Sequence, residues 1–274
     1  MGSDGMEAWY IHAMKYEPIE QLVGETPYNP PWLIDEMIAQ GTMLVVAGEA
    51  GIGKSTFMYA LSMCVATGLP FLGHSTIRAL VIYCDEENSL PDFTGYWQQI
   101  WHGLRCPDKQ LLAQRLHFAS FQLGFDEWLH RLRNAVEALP VPEPGLLVID
   151  TATPALSIKD EDKNAEASIA IRSLQSLQVN RNLTIIILKH ARIVEGESGA
   201  DRYILRGAKA WLGGTGGTWF LTFAPGKPPE NPLDRGRVLA PRKIRAFGLR
   251  KTIKIRAVSE TVGDVKSLKI LERF

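Results

Sequence analysis

The stretch Gly48-Glu49-Ala50-Gly51-Ile52-Gly53-Lys54-Ser55 constrains this chain more than any other, because it fits the pattern G-x-x-x-x-G-K-[S/T] without a mismatch. The glycines allow a tight turn in which successive N–H groups converge on phosphates. Lys54 is placed to reach the outer phosphates and Ser55 to ligate magnesium. The flanks agree. Thr42 to Ala47 is a short apolar, β-branched run suited to a buried strand. Lys54 to Thr67 reads as a helix with apolar residues at Phe57, Ala60, Leu61, Cys64 and Val65, stopping at Gly68 and Pro70. Strand, loop and helix in this order predict an α/β nucleotide-binding fold in which Gly48, Glu49, Ala50, Gly51, Ile52, Gly53, Lys54, Ser55 and Thr56 contact the nucleotide.

Composition adds boundaries. Thirty basic residues balance thirty acidic ones, so any field that attracts a polyanion must be local, and 46% apolar content supports a sizeable core. Three cysteines, Cys64, Cys84 and Cys106, lack C-x-x-C spacing, and no apolar stretch approaches the ~20 residues of a membrane span. These features predict a cytoplasmic protein without a membrane partner. The first five residues, ahead of Met6, read as an appended leader, residues 1–26 as an N-terminal arm, 27–258 as the nucleotide-binding domain and 259–274 as a C-terminal tail.

Along the chain, Trp32 to Ile38 suggests one or two helical turns. Ala79 to Cys84 is a second buried strand, ending in Asp85-Glu86-Glu87-Asn88. Phe93, Tyr96, Trp97, Ile100, Trp101 and Leu104 recur at helical spacing as a buried face, with base stacking the alternative. Phe125 to Leu139 reads as an amphipathic helix carrying Trp128, Leu129, Leu132 and Val136 inward. Gly145 to Asp150 is an apolar strand ending in an aspartate, about 95 residues after Ser55, where the carboxylate faces the magnesium shell opposite that hydroxyl. A polar segment, 153–165, precedes a helix with Ile169, Ile171, Leu174 and Leu177. Thr184 to Leu188 is a strand ending in Lys189-His190, and 191–205 reads as a loop. The glycines of Gly213-Gly214-Thr215-Gly216-Gly217 form a turn before the strand Trp219 to Phe223. From Arg235 to Arg256 there are nine cations and no acid, with hairpin alternation over Thr252 to Ala257.

Thr151 follows Asp150, so no glutamate stands beside that aspartate, and no N-K-x-D base-reading motif is found. The remaining arrangement places the catalytic glutamate at the end of the strand after the phosphate-loop helix, where Glu87, or Glu86 beside it, polarises the attacking water. With that step the chain resembles the RecA-like ATPases, most closely the group around the plasmid-replication helicase RepA, over about residues 27–258. The resemblance implies a mostly parallel twisted central sheet flanked by helices, antiparallel strands toward the C-terminus, and ATP with Mg²⁺ as ligands. It also implies His190 as a γ-phosphate sensor and Arg206 as an arginine finger for the adjacent protomer. Lys243-Ile244-Arg245 resembles the K-x-R element that replicative hexameric helicases place across the subunit interface.

Both basic elements imply a homo-oligomer, ring or filament, with shared sites. In the group resembled, the loops at about 152–166 and 191–205 hold single-stranded DNA. Here they offer few cations, Lys159, Lys163 and Arg192. The expected activity is that of an ATP-driven DNA helicase or translocase of a plasmid, phage or mobile element. The alternatives are a regulatory or assembly ATPase switching a protein partner, and a small-molecule kinase.

Overall fold

The computed structural model describes residues 29–138, 143–156, 164–178, 181–195, 201–205, 208–225, 235–245, 247–262 and 265–272. The compact unit built from them is Pro31–Phe274. The N-terminal arm expected over 1–26 lies outside the described residues.

The strands are β1 (Trp32–Ile34), β2 (Ile38–Ala39), β3 (Met43–Gly48), β4 (Leu80–Asp85), β5 (Leu116–Ala119), β6 (Gly145–Asp150), β7 (Leu183–Glu195), β8 (Asp201–Leu205), β9 (Gly217–Phe223), β10 (Arg237–Ile244), β11 (Ile253–Val262) and β12 (Val265–Glu272). The helices are α1 (Lys54–Thr67), α2 (Leu90–Gly103), α3 (Lys109–Arg115), α4 (Phe125–Glu137), α5 (Ala152–Ala155), α6 (Asn164–Gln178) and α7 (Ala208–Gly214). One ten-stranded sheet runs β12-β11-β10-β9-β3-β7-β6-β4-β5, with β8 paired to β7. Neighbours from β9 through β5 are parallel, and β9 to β12 are antiparallel, as expected from the sequence.

Every residue of β3, β4 and β6 is buried, which is why their sequences read as unbroken apolar runs rather than alternating ones. Helices cover both faces. On one side α1, Phe93 and Ile100 of α2, and the small β1–β2 ribbon pack together. On the other, Trp128 and Leu132 of α4, Ile171 and Leu174 of α6, and Trp211 of α7 form a second core. Helix α1 is buried from Phe57 through Thr67 because it is enclosed on all sides, and it stops at Gly68, φ 78°, whose N–H bonds the Cys64 carbonyl.

Several expectations change. Trp32 to Ile38 forms a β-ribbon instead of helical turns: the Met37 N–H bonds the Ile34 carbonyl at 3.0 Å, closing a tight turn that brings Ile34 opposite Ile38. The loop expected at 191–205 is partly an arm in which β7 runs on and β8 returns antiparallel, pairing Ala191 with Leu205 through Glu195 with Asp201. Backbone pairing holds an antiparallel ribbon whatever its side chains, so polar composition does not tell it from a loop. In α6, Ile169 is 54% exposed, because the buried stripe follows Ala167, Ala170, Ile171, Leu174 and Leu177. Tyr96 is likewise exposed at 43%, apart from the buried face of α2.

The described residues of 259–274 lie in β11 and β12 and continue the sheet. Strand β12 crosses the end of α2 so closely that a Cβ on Gly103 would sit 2.0 Å from the Leu268 carbonyl oxygen. This crossing holds the C-terminal hairpin over α1. Among the described residues, no helix is long and apolar enough to cross a membrane.

Candidate active site

The parallel strands end together, and their carboxyl ends define the site. β3 delivers the glycine loop, β4 the segment Asp85 to Asn88, β6 Asp150 and β7 His190. The register sets Gly48 beside His190 and Asp85 beside Asp150. Strand β7 separates β3 from β6, so His190 stands between the phosphate loop and the aspartate.

Gly53 has φ 97°, a left-handed conformation that costs glycine little and strains other residues. It turns the chain into α1, whose first N–H groups face the cleft. The buried Lys54 donates to the carbonyls of Gly48 at 3.1 Å and Glu49 at 2.8 Å, and its Nζ lies 3.4 Å from His190 Nδ1. Burial pulls the ammonium below the ordinary lysine range, while Asp150, Glu87 and Glu49 act in the opposite direction. An ammonium has only donors, so Nδ1 serves as acceptor and the Nε2–H faces Glu87, whose Oε2 is 3.5 Å away.

The two neighbouring glutamates have different environments. The Glu86 carboxylate accepts from the N–H of Phe121 at 3.0 Å, the N–H of Gln122 at 2.9 Å and the Trp128 indole at 3.0 Å. It ties β4 to the connection entering α4. Glu87 lies in the cleft with Lys54, Thr151 and His190. The His190 hydrogen bond holds Glu87 below the usual carboxylate range against partial burial, with help from the Thr151 hydroxyl and Lys54. Asp85 sets this division: its Oδ1 accepts the N–H of Glu87 at 3.1 Å and of Asn88 at 2.8 Å, fixing the turn. Its Oδ2 accepts the Tyr59 hydroxyl at 2.6 Å.

Glu86→Gln places an amide NH₂ among three donors. It is expected to cost about 1–3 kcal/mol of stability while leaving turnover per folded molecule unchanged. Calorimetry beside an ATPase assay checks both halves.

Asp150 is wholly buried. Its Oδ2 accepts the Tyr83 hydroxyl at 2.7 Å, and Oδ1 has no hydrogen-bond partner among the described residues. Burial pushes the carboxyl up to about 6, with Asp85 and Glu87 adding to the rise and the Tyr83 and Ser55 hydroxyls opposing it. The Asp150–Thr151 peptide is cis. A buried carboxylate with one oxygen unpartnered, in reach of the Ser55 hydroxyl, fits magnesium, which needs one or two protein oxygens when substrate phosphates supply others. Among the described residues there is no cluster of three His, Cys, Asp or Glu to hold a metal by itself. Ser55 and Asp150 are therefore the residues that fit the ion.

The cleft of about 300 Å³ joins the glycine loop and Thr56 to an apolar wall of Leu221, Ile255, Ala257, Leu268 and Ile270. Arg237 of β10 also lines it, donating from Nε to the Ile52 carbonyl at 2.9 Å. Sequence reasoning missed Arg237, Thr151 and the tyrosine–aspartate pairs. Arg237 is one of nine cations in its run and is singled out only by strand register. The C-terminal wall likewise depends on β12 crossing α2.

Lys243 and Arg245 lie elsewhere. Lys243 donates to the carbonyls of Leu212 and Thr215, and Arg245 to that of Gly213, so both cations sit at the carboxyl end of α7. Arg206 lies outside the described residues, as do Lys159, Lys163 and the tip of the 191–205 segment. Arg192 is exposed on β7.

Strand order, glycine cradle and converging acids define a P-loop ATPase of RecA-like fold. The chain belongs to the AAA domain family, which matches it over residues 13–195. Among solved structures it is similar to a KaiC-like protein of Pyrococcus horikoshii OT3, with TM-score 0.52 and 16% identity over 89% of this chain and 96% of that one. It is also similar to the flagellar accessory protein FlaH of Methanocaldococcus jannaschii, with TM-score 0.55 and 11% identity over 86% and 90% of the two chains. Among curated proteins, the probable D,D-dipeptide transport ATP-binding protein DdpF of Escherichia coli is 28% identical over 176 residues, 57% of this chain and 54% of DdpF. The peptidoglycan transport ATP-binding protein YejF of Agrobacterium fabrum is 25% identical over 205 residues, 64% of this chain and 36% of YejF. The chain thus spans about half or less of these curated relatives.

Proposed function

We propose that this chain hydrolyses ATP with Mg²⁺ as a subunit of a cytoplasmic ring or filament and couples hydrolysis to movement on single-stranded DNA, in the manner of the RepA-type helicases. The observation supporting the hydrolytic chemistry is the meeting of Lys54, Ser55, Glu87, Asp150 and His190 at one edge of the sheet. The glycine loop and α1 bind the phosphates, with Lys54 offsetting their charge. Glu87 accepts the proton of the attacking water. His190, in reach of both Lys54 and Glu87, connects the phosphate loop to the base and to the β7–β8 arm. Magnesium, when bound, neutralises charge developing on the phosphates.

Arg206 is proposed as the finger completing a neighbour's site, and Lys243 and Arg245, which within this chain hold the end of the helix following it, as the K-x-R element at the same interface. The membership of a replication or regulatory partner in the assembly belongs to the same reading.

The test is the rate of ATP hydrolysis with and without single-stranded DNA, at low salt and over a protein concentration series. Stimulation by DNA with a cooperative concentration dependence is expected. Hydrolysis indifferent to DNA sinks the translocase and favours the regulatory ATPase; phosphate transfer to a metabolite in place of water would identify a kinase.

A further inference from the structure

The nine cations between Arg235 and Arg256 are divided by the fold. Arg235 stacks over Phe223 at 4.0 Å and Arg237 holds the phosphate loop, while Lys243 and Arg245 meet the end of α7. The other five, Arg242, Arg250, Lys251, Lys254 and Arg256, are exposed.

Register shows where three of these five lie. Lys254 pairs with Val238, which pairs with Thr222, two residues along β9 from Phe220. All four therefore share one sheet face, and Arg242 lies on it too, with its guanidinium 5.8 Å from the Phe220 ring centre. Arg256, two residues beyond Lys254, faces the same way. Arg250 and Lys251 stand at the rim, just before β11. The acid at the far end, Glu260, is paired with Lys269 at 3.3 Å. The opposite face of β11 carries Ile255 and Ala257, which line the ATP cleft.

We propose that this face of β10 and β11, carrying the exposed Arg242, Lys254 and Arg256 with Arg250 and Lys251 at its rim, binds the sugar–phosphate backbone of single-stranded nucleic acid. The inference rests on the reading that DNA is the partner, and it locates that partner outside the cation-poor loops. Same-face residues of a strand recur at about 6.7 Å, so Lys254 and Arg256 make a row of charge suited to a repeating polyanion. A protein partner calls for an apolar core depleted of charge, whereas the exposed Leu271 on this face, paired with Arg256, stands among Lys254, Arg256 and Lys269. Because β11 presents one face to each ligand, the strand also links nucleic acid to the nucleotide cleft.

The test is fluorescence anisotropy of a labelled oligothymidylate of about 16 nucleotides, without nucleotide, across a salt series. In Lys254→Ala/Arg256→Ala, affinity is expected to fall about 10-fold and the slope of log K against log salt to shrink by about 1.4, two phosphate contacts on a single strand. Basal ATP hydrolysis should stay at the wild-type rate, and its stimulation by DNA should be lost. Equal binding by wild type and variant overturns the site alone and leaves the translocase standing. Absence of binding by wild type overturns both. Competition by polyglutamate at matched charge concentration, as strong as by unlabelled oligothymidylate, also overturns the proposal, because the face would then be a general acidic-polymer dock.

Discussion

Replacing Glu87 by glutamine is expected to reduce ATP turnover by about 10²–10⁴-fold while leaving nucleotide binding near wild type. The amide keeps the size of the side chain and can still accept from His190, so the cleft retains its shape. It cannot take the proton of the attacking water. The wild-type pH profile provides a second reading. His190 chiefly holds the Glu87 carboxyl below the ordinary range, so the basic form persists through neutral pH. The limb that belongs to Glu87 should appear as pH drops through that depressed value, where Glu87 gains its proton, and so below the fall that protonation of Asp150 produces near pH 6. In Glu87→Gln this acid limb should vanish from the residual rate. Single-turnover hydrolysis and titration with a fluorescent ATP analogue separate chemistry from binding. Wild-type turnover in the variant would remove Glu87 as the base. The same measurement on Glu86→Gln supplies the control, since that carboxylate is committed to Phe121, Gln122 and Trp128.

The contrast between these two glutamates shows what the sequence could and could not supply. Central strands were legible because burial on both faces demands continuous apolar runs, and α1 because its glycine entrance and exit are local. The choice between Glu86 and Glu87 was not local. It depends on Asp85 fixing the turn and on an indole arriving from α4, a contact separated by 42 residues. Arg237 was hidden for a related reason: one cation in a run looks like another until antiparallel pairing sends alternate residues to opposite faces. The β7–β8 arm reads as a loop in sequence because polar residues at a sheet's end satisfy either structure. Sequence thus reported the motifs whose chemistry is contiguous, while roles assigned by register emerged only with the sheet.

Lys54→Ala should have the widest effect, abolishing measurable turnover and weakening ATP binding, because one ammonium serves several ends of the site. It donates to two carbonyls of its own loop, lies beside His190, and supplies positive charge between Asp150, Glu87 and Glu49. Removing a preorganised charge of this kind typically costs about 10²–10³ in rate, and the loss of phosphate binding adds to it. The fold should survive, since the lysine's stem fills little of the core; a loss of about 1–3 kcal/mol from the orphaned loop carbonyls is expected by calorimetry. This makes Lys54→Ala a folded but silent subunit, suited to testing the shared site. Mixed with Arg206→Ala protein under assembling conditions, it should restore part of the activity. Its own intact Arg206 would complete a neighbour whose Lys54 is intact. Failure of rescue in assemblies shown to contain both proteins would place the arginine's action within its own chain and remove the obligatory oligomer from the mechanism. Retention of turnover by Lys54→Ala alone would be more damaging, because it would separate hydrolysis from the glycine loop on which the whole assignment of the cleft depends.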